Sequence, residues 1–182
     1  MRGLCHSDPM NHPRIIIGID PGLRHTGWGI VAQNGNHLSF IAAGRISPSP
    51  DLPMSSRLLA LAEGIADVVC VHAPNEAAIE ETFVNKNARS ALLLGQARGS
   101  VILALAQNGL SVAEYSANRI KQSITGHGHA EKIQIQAMIG ILLPGSGKLA
   151  ADAADALAVA ITHAHHIPSL ANQAKKSTNR EP

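Results

Sequence analysis

The sequence predicts an α/β domain in which helices flank a mixed five-stranded sheet. Three observations carry that reading. Residues 14–46 hold three apolar runs joined by tight turns, so the strands they form run antiparallel. Two later apolar runs, at 76–81 and 110–115, each follow a stretch of helical spacing, and right-handed crossovers add such strands in parallel. A chain of 182 residues suits one domain and buries roughly 70% of its unfolded surface.

Residues 1–14 mix Pro, Asn, His and Asp without periodicity and are expected to form a flexible arm. Met10, shortly before the first apolar run, is a candidate for the true start. The run Arg14–Asp20 (RIIIGID) is β-branched and stopped by Pro21-Gly22, which marks a buried strand. Residues 27–33 and 37–46 flank Asn34-Gly35-Asn36, and Asn-Gly between apolar runs signals a hairpin. Residues 47–53 (SPSPDLP) form a loop. Across 55–72 the residues Leu58, Leu59, Ala62, Ile65 and Val69 recur at helical spacing, and Pro74 ends that helix.

Residues 76–81 (EAAIEE) read as a short strand. The longest helix is expected over 87–108. Its second half, SVILALA, is apolar on all sides, which predicts burial all round, as a central core helix or at a dimer interface. Leu110–Tyr115 is a further strand, followed by a basic stretch with Arg119 and Lys121 and a Gly/His turn at 126–129. Residues 132–143 and 149–166 read as two helices separated by Pro144-Gly145-Ser146-Gly147. The domain therefore spans 15–167, and the polar residues 168–182 are expected to be a disordered tail.

Composition removes several classes. No apolar run reaches the ~18 residues that span a bilayer, and the start MRGLCHSDPMNHPR lacks the apolar stretch of a secretory signal. No membrane partner and a cytoplasmic location are expected. Two cysteines, Cys5 and Cys70, make neither a disulfide framework nor a Cys-based zinc site. Only four residues are aromatic while 28 are alanine, so the core should hold close-packed helices. The formal charge of +2 identifies no partner by itself.

Four carboxylates stand where chemistry collects. Asp20 ends the first strand, and in α/β sheets function gathers beyond the carboxyl ends of strands. Turn capping by Asp-Pro-Gly is the plainer reading of that residue. Glu80 ends a second strand, and alternation sends Glu81 to the other face. A carboxylate ending a buried strand needs a partner, and no Arg or Lys stands next to it. Asp152 and Asp155 project from the otherwise core-like ADAADALAVAI. Three residues apart, they share a helix face. Both lie near the helix N-terminus, where negative charge is favoured, so a helix cap is their structural alternative. If Asp20, Glu80, Asp152 and Asp155 gather, they form an all-oxygen set that suits Mg²⁺ or Mn²⁺. Two such ions roughly 3.5–4 Å apart can drive phosphodiester hydrolysis.

The segments GIDPGLRHTGWG (18–29), AIEETFVNKNARSALLLGQARG (78–99), GHGHAEKIQIQ (126–136) and ADAADALAVAITHAH (151–165) resemble the RuvC family of Holliday junction resolvases. The collinear match runs from about Ile15 to His166. The resemblance implies an RNase H-like fold, a homodimer, and Mg²⁺-dependent nicking of four-way DNA junctions for recombination and repair. It implies two Mg²⁺ per site, with Mn²⁺ as substitute, held by Asp20, Glu80, Asp152 and Asp155. It also implies delivery of the junction by the RuvA–RuvB branch-migration machinery and cutting at T-rich sites.

Between residues 84 and 132 there are six basic residues (Lys86, Arg89, Arg98, Arg119, Lys121, Lys132) against two acids. Such a local excess suits a phosphate backbone, and a solvated helix face is the plainer alternative. Lys86, Arg89, Lys121 and Lys132 are the expected DNA contacts. The resemblance gives Lys121 and Lys132 a part in catalysis as well, and gives Phe83 a stacking role at the junction centre. A core plug is the plainer reading of Phe83. His127, His129, His163 and His165 are expected to pair with helix C-termini. Two further functions fit parts of the pattern. Gly22 and Gly27 bound a short turn such as begins the phosphate loop of actin-like ATPases, although a second such loop is missing. A non-catalytic RNase H-like DNA-binding module is the other, against which the intact acid quartet stands.

Overall fold

The computed structural model describes residues 13–82, 87–128 and 130–166. Chain order is β1 (Arg14–Asp20), β2 (Thr26–Asn34), β3 (His37–Ile46), α1 (Met54–His72), β4 (Glu76–Glu80), α2 (Ala88–Gln107), β5 (Val112–Tyr115), α3 (Ala117–Thr125), α4 (Lys132–Leu142) and α5 (Ala151–His166). The sheet order is β3-β2-β1-β4-β5. β1–β2 and β2–β3 pair antiparallel, and β1–β4 and β4–β5 pair parallel. This is the mixed sheet that the turn and crossover lengths predict.

Arg14, where the expected arm and the expected first strand meet, opens β1 and is held by Glu76. The basic stretch after β5 folds into helix α3. Ser116 accepts a hydrogen bond from the Arg119 amide at its start, and Gly126 closes it with φ 78°, a left-handed cap that glycine adopts without strain. Phe83, Lys86, His129, the chain before Pro13 and the tail after His166 lie outside the described residues.

Strand alternation sorts the core into two layers. Ile17, Ile19, Ile30, Ala77 and Ile79 pack against Leu61 and Ile65 of α1 and Val101 and Leu105 of α2. Ile16, Val31, Ala78 and Tyr115 pack on the other side, under α3, α4 and α5. The residues between these, Gly18 and Asp20 on β1 and Glu76 and Glu80 on β4, therefore face α5.

Helix α5 is buried without a break from Ala153 to Ala164 except at Asp155. It lies on a bed of glycines. A Cβ on Gly18 would sit 2.2 Å from the Ala156 carbonyl oxygen, and one on Gly27 only 2.0 Å from that of Asp152. Alanine on the helix and glycine on the strands together let the two backbones touch.

Within the single chain, helix α2 is not the central core helix that is one of its two expected readings. Val101, Ala104 and Leu105 are buried against α1 and the sheet, but Leu103 is 58% exposed and Leu92 71%. An outer helix of a layered fold covers the sheet with one face only. Among the described residues no helix is long and apolar enough to cross a membrane.

Candidate active site

Two strand ends deliver the first two carboxylates. Ile19 and Ile79 are register partners, and Asp20 and Glu80 are the next residue on each strand. Period-two alternation turns both towards α5. The loop behind Asp20 is tied down. The Thr26 hydroxyl donates to the Gly22 carbonyl at 2.7 Å and accepts from the Gly22 amide at 3.2 Å. Arg57 donates to the Leu23 carbonyl at 3.0 Å. The Gly22–Gly27 turn is thus closed on itself by the buried Thr26.

The other two carboxylates come from the start of α5. The contact between Gly27 and the Asp152 carbonyl seats this end of the helix on β2. Gly27 is itself the register partner of Asp20. The i, i+3 spacing then places Asp155 on the same side as Asp152, and the positive end of the helix dipole favours the charge of Asp152 in the first turn.

The electrostatics show that these groups feel one another. Burial, then the negative charges of Glu80, Asp155 and Asp152, push the Asp20 carboxyl up to about 7 against the pull of Lys132. Burial and Asp155 also raise Glu80, while Lys121 and Lys132 pull it down. Lys132 donates to Asp155 Oδ2 at 2.7 Å, which raises the lysine's own pKa. Arg45 lies 3.8 Å from Asp152. Among the described residues no three His, Cys, Asp or Glu side chains are already drawn to metal-binding distance. Two of the four acids are instead turned towards cations of the chain itself. The donor set is carboxylate only, which fits a hard divalent cation.

A cleft of about 320 Å³ opens beside these groups, lined by Glu80 and Asp155 together with Lys121 and Lys132. The two lysines, eleven residues apart and on different helices, share this cleft because α3 and α4 both pack against α5. Arg89 is exposed in the first turn of α2. Arg98 is paired with Glu114. Arg119 lies near the Tyr115 ring, 5.9 Å from its centroid, and lines a separate polar groove with Ser116, Asn118 and His166.

The histidines behave differently from expectation. His163 is buried, with Nδ1 2.9 Å from the Tyr115 hydroxyl and Nε2 2.9 Å from Glu76, which also binds Arg14. It is a core network residue and not a helix cap, because α5 continues past it under the sheet. His165 meets Ser123 at 3.2 Å, and among the described histidines only His166 reaches back to a helix carbonyl, that of Thr162. Sequence reasoning missed Glu76. Its parity with Ala78 and Glu80 on β4 was the available signal.

Known proteins match this arrangement along most of the chain. The family model for crossover junction endodeoxyribonuclease RuvC matches residues 16–163. The RuvC protein of Bradyrhizobium diazoefficiens is 56% identical over 167 residues, which cover 92% of this chain and 95% of that protein. That of Azorhizobium caulinodans is 58% identical over 151 residues, covering 83% of this chain and 89% of the relative. Among solved structures, Thermus thermophilus RuvC in complex with a Holliday junction substrate superposes with a TM-score of 0.78 at 32% identity, covering 83% of this chain and 93% of that one. The yeast mitochondrial resolvase Ydc2 shares the fold, with a TM-score of 0.61 at 12% identity over 85% of this chain and 79% of that one. The RNase H-like architecture expected from the resemblance is therefore present, and the chain belongs to the RuvC family of crossover junction endodeoxyribonucleases.

Proposed function

We propose that this chain resolves four-way DNA junctions by symmetric paired nicks, with Asp20, Glu80, Asp152 and Asp155 holding two Mg²⁺ ions per site. The observation that carries the reading is Asp20. Burial, together with the negative charges of Glu80, Asp155 and Asp152, holds its carboxyl near 7. A hard cation relieves that repulsion. Asp20 and Glu80 at the strand ends and Asp152 and Asp155 on α5 would hold the ions. Bound Mg²⁺, or Mn²⁺ in its place, supplies the Lewis acidity that activates water and steadies the leaving oxygen.

The rest of the work falls to the chain. Lys132, now donating to Asp155, is the cation that turns to a DNA phosphate when the acid takes another partner. Lys121 stands in the same cleft and supports the same strand. Arg89, Lys86 and Phe83 also engage the junction, Phe83 by stacking on an unpaired base. The products carry a 5′-phosphate and a 3′-hydroxyl, ends that can be religated.

Paired nicks need two sites related by a two-fold axis, which supports a homodimer. Leu92, Gly95, Gly99 and Leu103 form one exposed stripe along α2, and a Cβ on either glycine would meet nothing within 4 Å. That stripe suits close approach of a second copy. Sedimentation should show a dimer that Leu103→Glu turns into a monomer. Delivery by RuvA–RuvB in the cytoplasm completes the reading.

The test is a synthetic four-way junction incubated with the purified chain, with and without Mg²⁺. Paired symmetric nicks that need the metal support the proposal. Binding without cleavage points to a DNA-binding module, and ATP hydrolysis to an ATPase.

A further inference from the structure

We propose that Arg45 binds a backbone phosphate of the strand being cut, from the flank of the site opposite Lys121 and Lys132. The inference rests on the nuclease reading above and adds a residue to it. Arg45 is the register partner of Gly27, which is the register partner of Asp20. Directly opposed residues on antiparallel strands share a face, so Arg45 and Asp20 point the same way in one row of the sheet. Two strand spacings separate them, about 10 Å. Gly27 between them has no side chain to block the way.

A β-bulge makes this possible. From Asn34↔His37 to Val31↔Phe40 the hairpin keeps one register, and from Ile30↔Ala42 onward it is shifted by one residue, leaving Ile41 unpaired. Before the bulge, Leu38 and Phe40 face α5; after it, Ala43 does. Arg45 follows Ala43. Without the extra residue, Gly44 would oppose Gly27 and Arg45 would face α1. Bulges beside active sites commonly re-aim a side chain in this way.

The Arg45 side chain is 52% exposed, and its approach to Asp152 is long, 3.8 Å. Most of its five donors therefore remain available, in the fork geometry that suits phosphate oxygens. On the other flank Lys132 and Lys121 line the cleft with Glu80 and Asp155. The acids thus lie between two cationic walls, and a strand crossing them has a basic partner on each side.

The full-length chain and its Arg45→Gln and Arg45→Lys variants are titrated with a synthetic four-way junction in EDTA over a series of NaCl concentrations. Arg45→Gln is expected to weaken binding and to flatten the log–log salt slope by about 0.9, the value of one phosphate contact. Arg45→Lys should restore that slope. In Mg²⁺ the Arg45→Gln variant should show a raised KM with an unchanged Mg²⁺ midpoint. An unchanged salt slope in Arg45→Gln, or a shifted Mg²⁺ midpoint with unchanged binding, overturns the inference, since Arg45 would then serve only as the counter-ion of Asp152. Failure of the unsubstituted chain to cut the junction overturns the nuclease reading instead.

Discussion

The ammonium of Lys132, at the start of α4, lies 2.7 Å from Asp155 Oδ2 on α5. The two residues belong to different helices and meet at the mouth of the cleft that Glu80 and Lys121 also line. A lysine that can exchange an acid of the site for a DNA phosphate contributes at the step where charge develops. Lys132→Met should lower the cutting rate by about 10²-fold, the usual loss for one well-placed electrostatic donor. Junction binding should fall far less. Single-turnover cleavage beside equilibrium binding checks this, and equal losses in both would assign Lys132 to binding alone.

Asp20 gives a pH dependence whose sign can be worked out. Its carboxyl has an ordinary value of 3.8 and is pushed up to about 7 in the folded chain. The folded state therefore keeps the proton after the unfolded chain has lost it. The stability that Asp20 contributes is full below about 4 and is lost as pH rises through about 7. In EDTA the chain should be more stable at pH 5.5 than at pH 8, by on the order of 2–3 kcal/mol from this group. Asp20→Asn should flatten that profile and exceed the unsubstituted chain in Tm at pH 8. Parallel profiles for the two proteins would refute the assignment.

Gly27 couples the acid on β1 to the acid on α5. Its Cβ position lies 2.0 Å from the Asp152 carbonyl oxygen, whereas a Cβ on Gly140 of α4 would meet nothing within 4 Å. Gly27→Ala should destabilise by about 1–3 kcal/mol through overpacking, and cutting should fall more than junction binding. Gly140→Ala should stabilise by roughly 0.5–1 kcal/mol. Thermal unfolding of the two variants compares them directly, and equal Tm values would contradict the close approach of α5 to β2.

Much of this site was legible from local periodicity. Period two placed Asp20 and Glu80 at strand ends on a common face, and the i, i+3 spacing paired Asp152 with Asp155. Tight turns against long crossovers settled which strands run antiparallel. What escaped lies in longer-range geometry. Helix α3 is short and largely polar, so its apolar face, Ile120 and Ile124, is too brief to register, although Ser116 and Gly126 bracket it as caps do. The His163–Glu76 contact joins residues 87 apart, and no local pattern encodes it. Arg45 was hidden by the bulge at Ile41, because a shift of one residue reverses the face of every later side chain on β3.

The most direct test of the whole account compares the unsubstituted chain with Asp20→Asn on one synthetic four-way junction in Mg²⁺. Symmetric paired nicks by the former, with junction binding but no cutting by the latter, is the predicted result. Full cutting by Asp20→Asn would contradict the central claim that this carboxylate organises the hydrolysis.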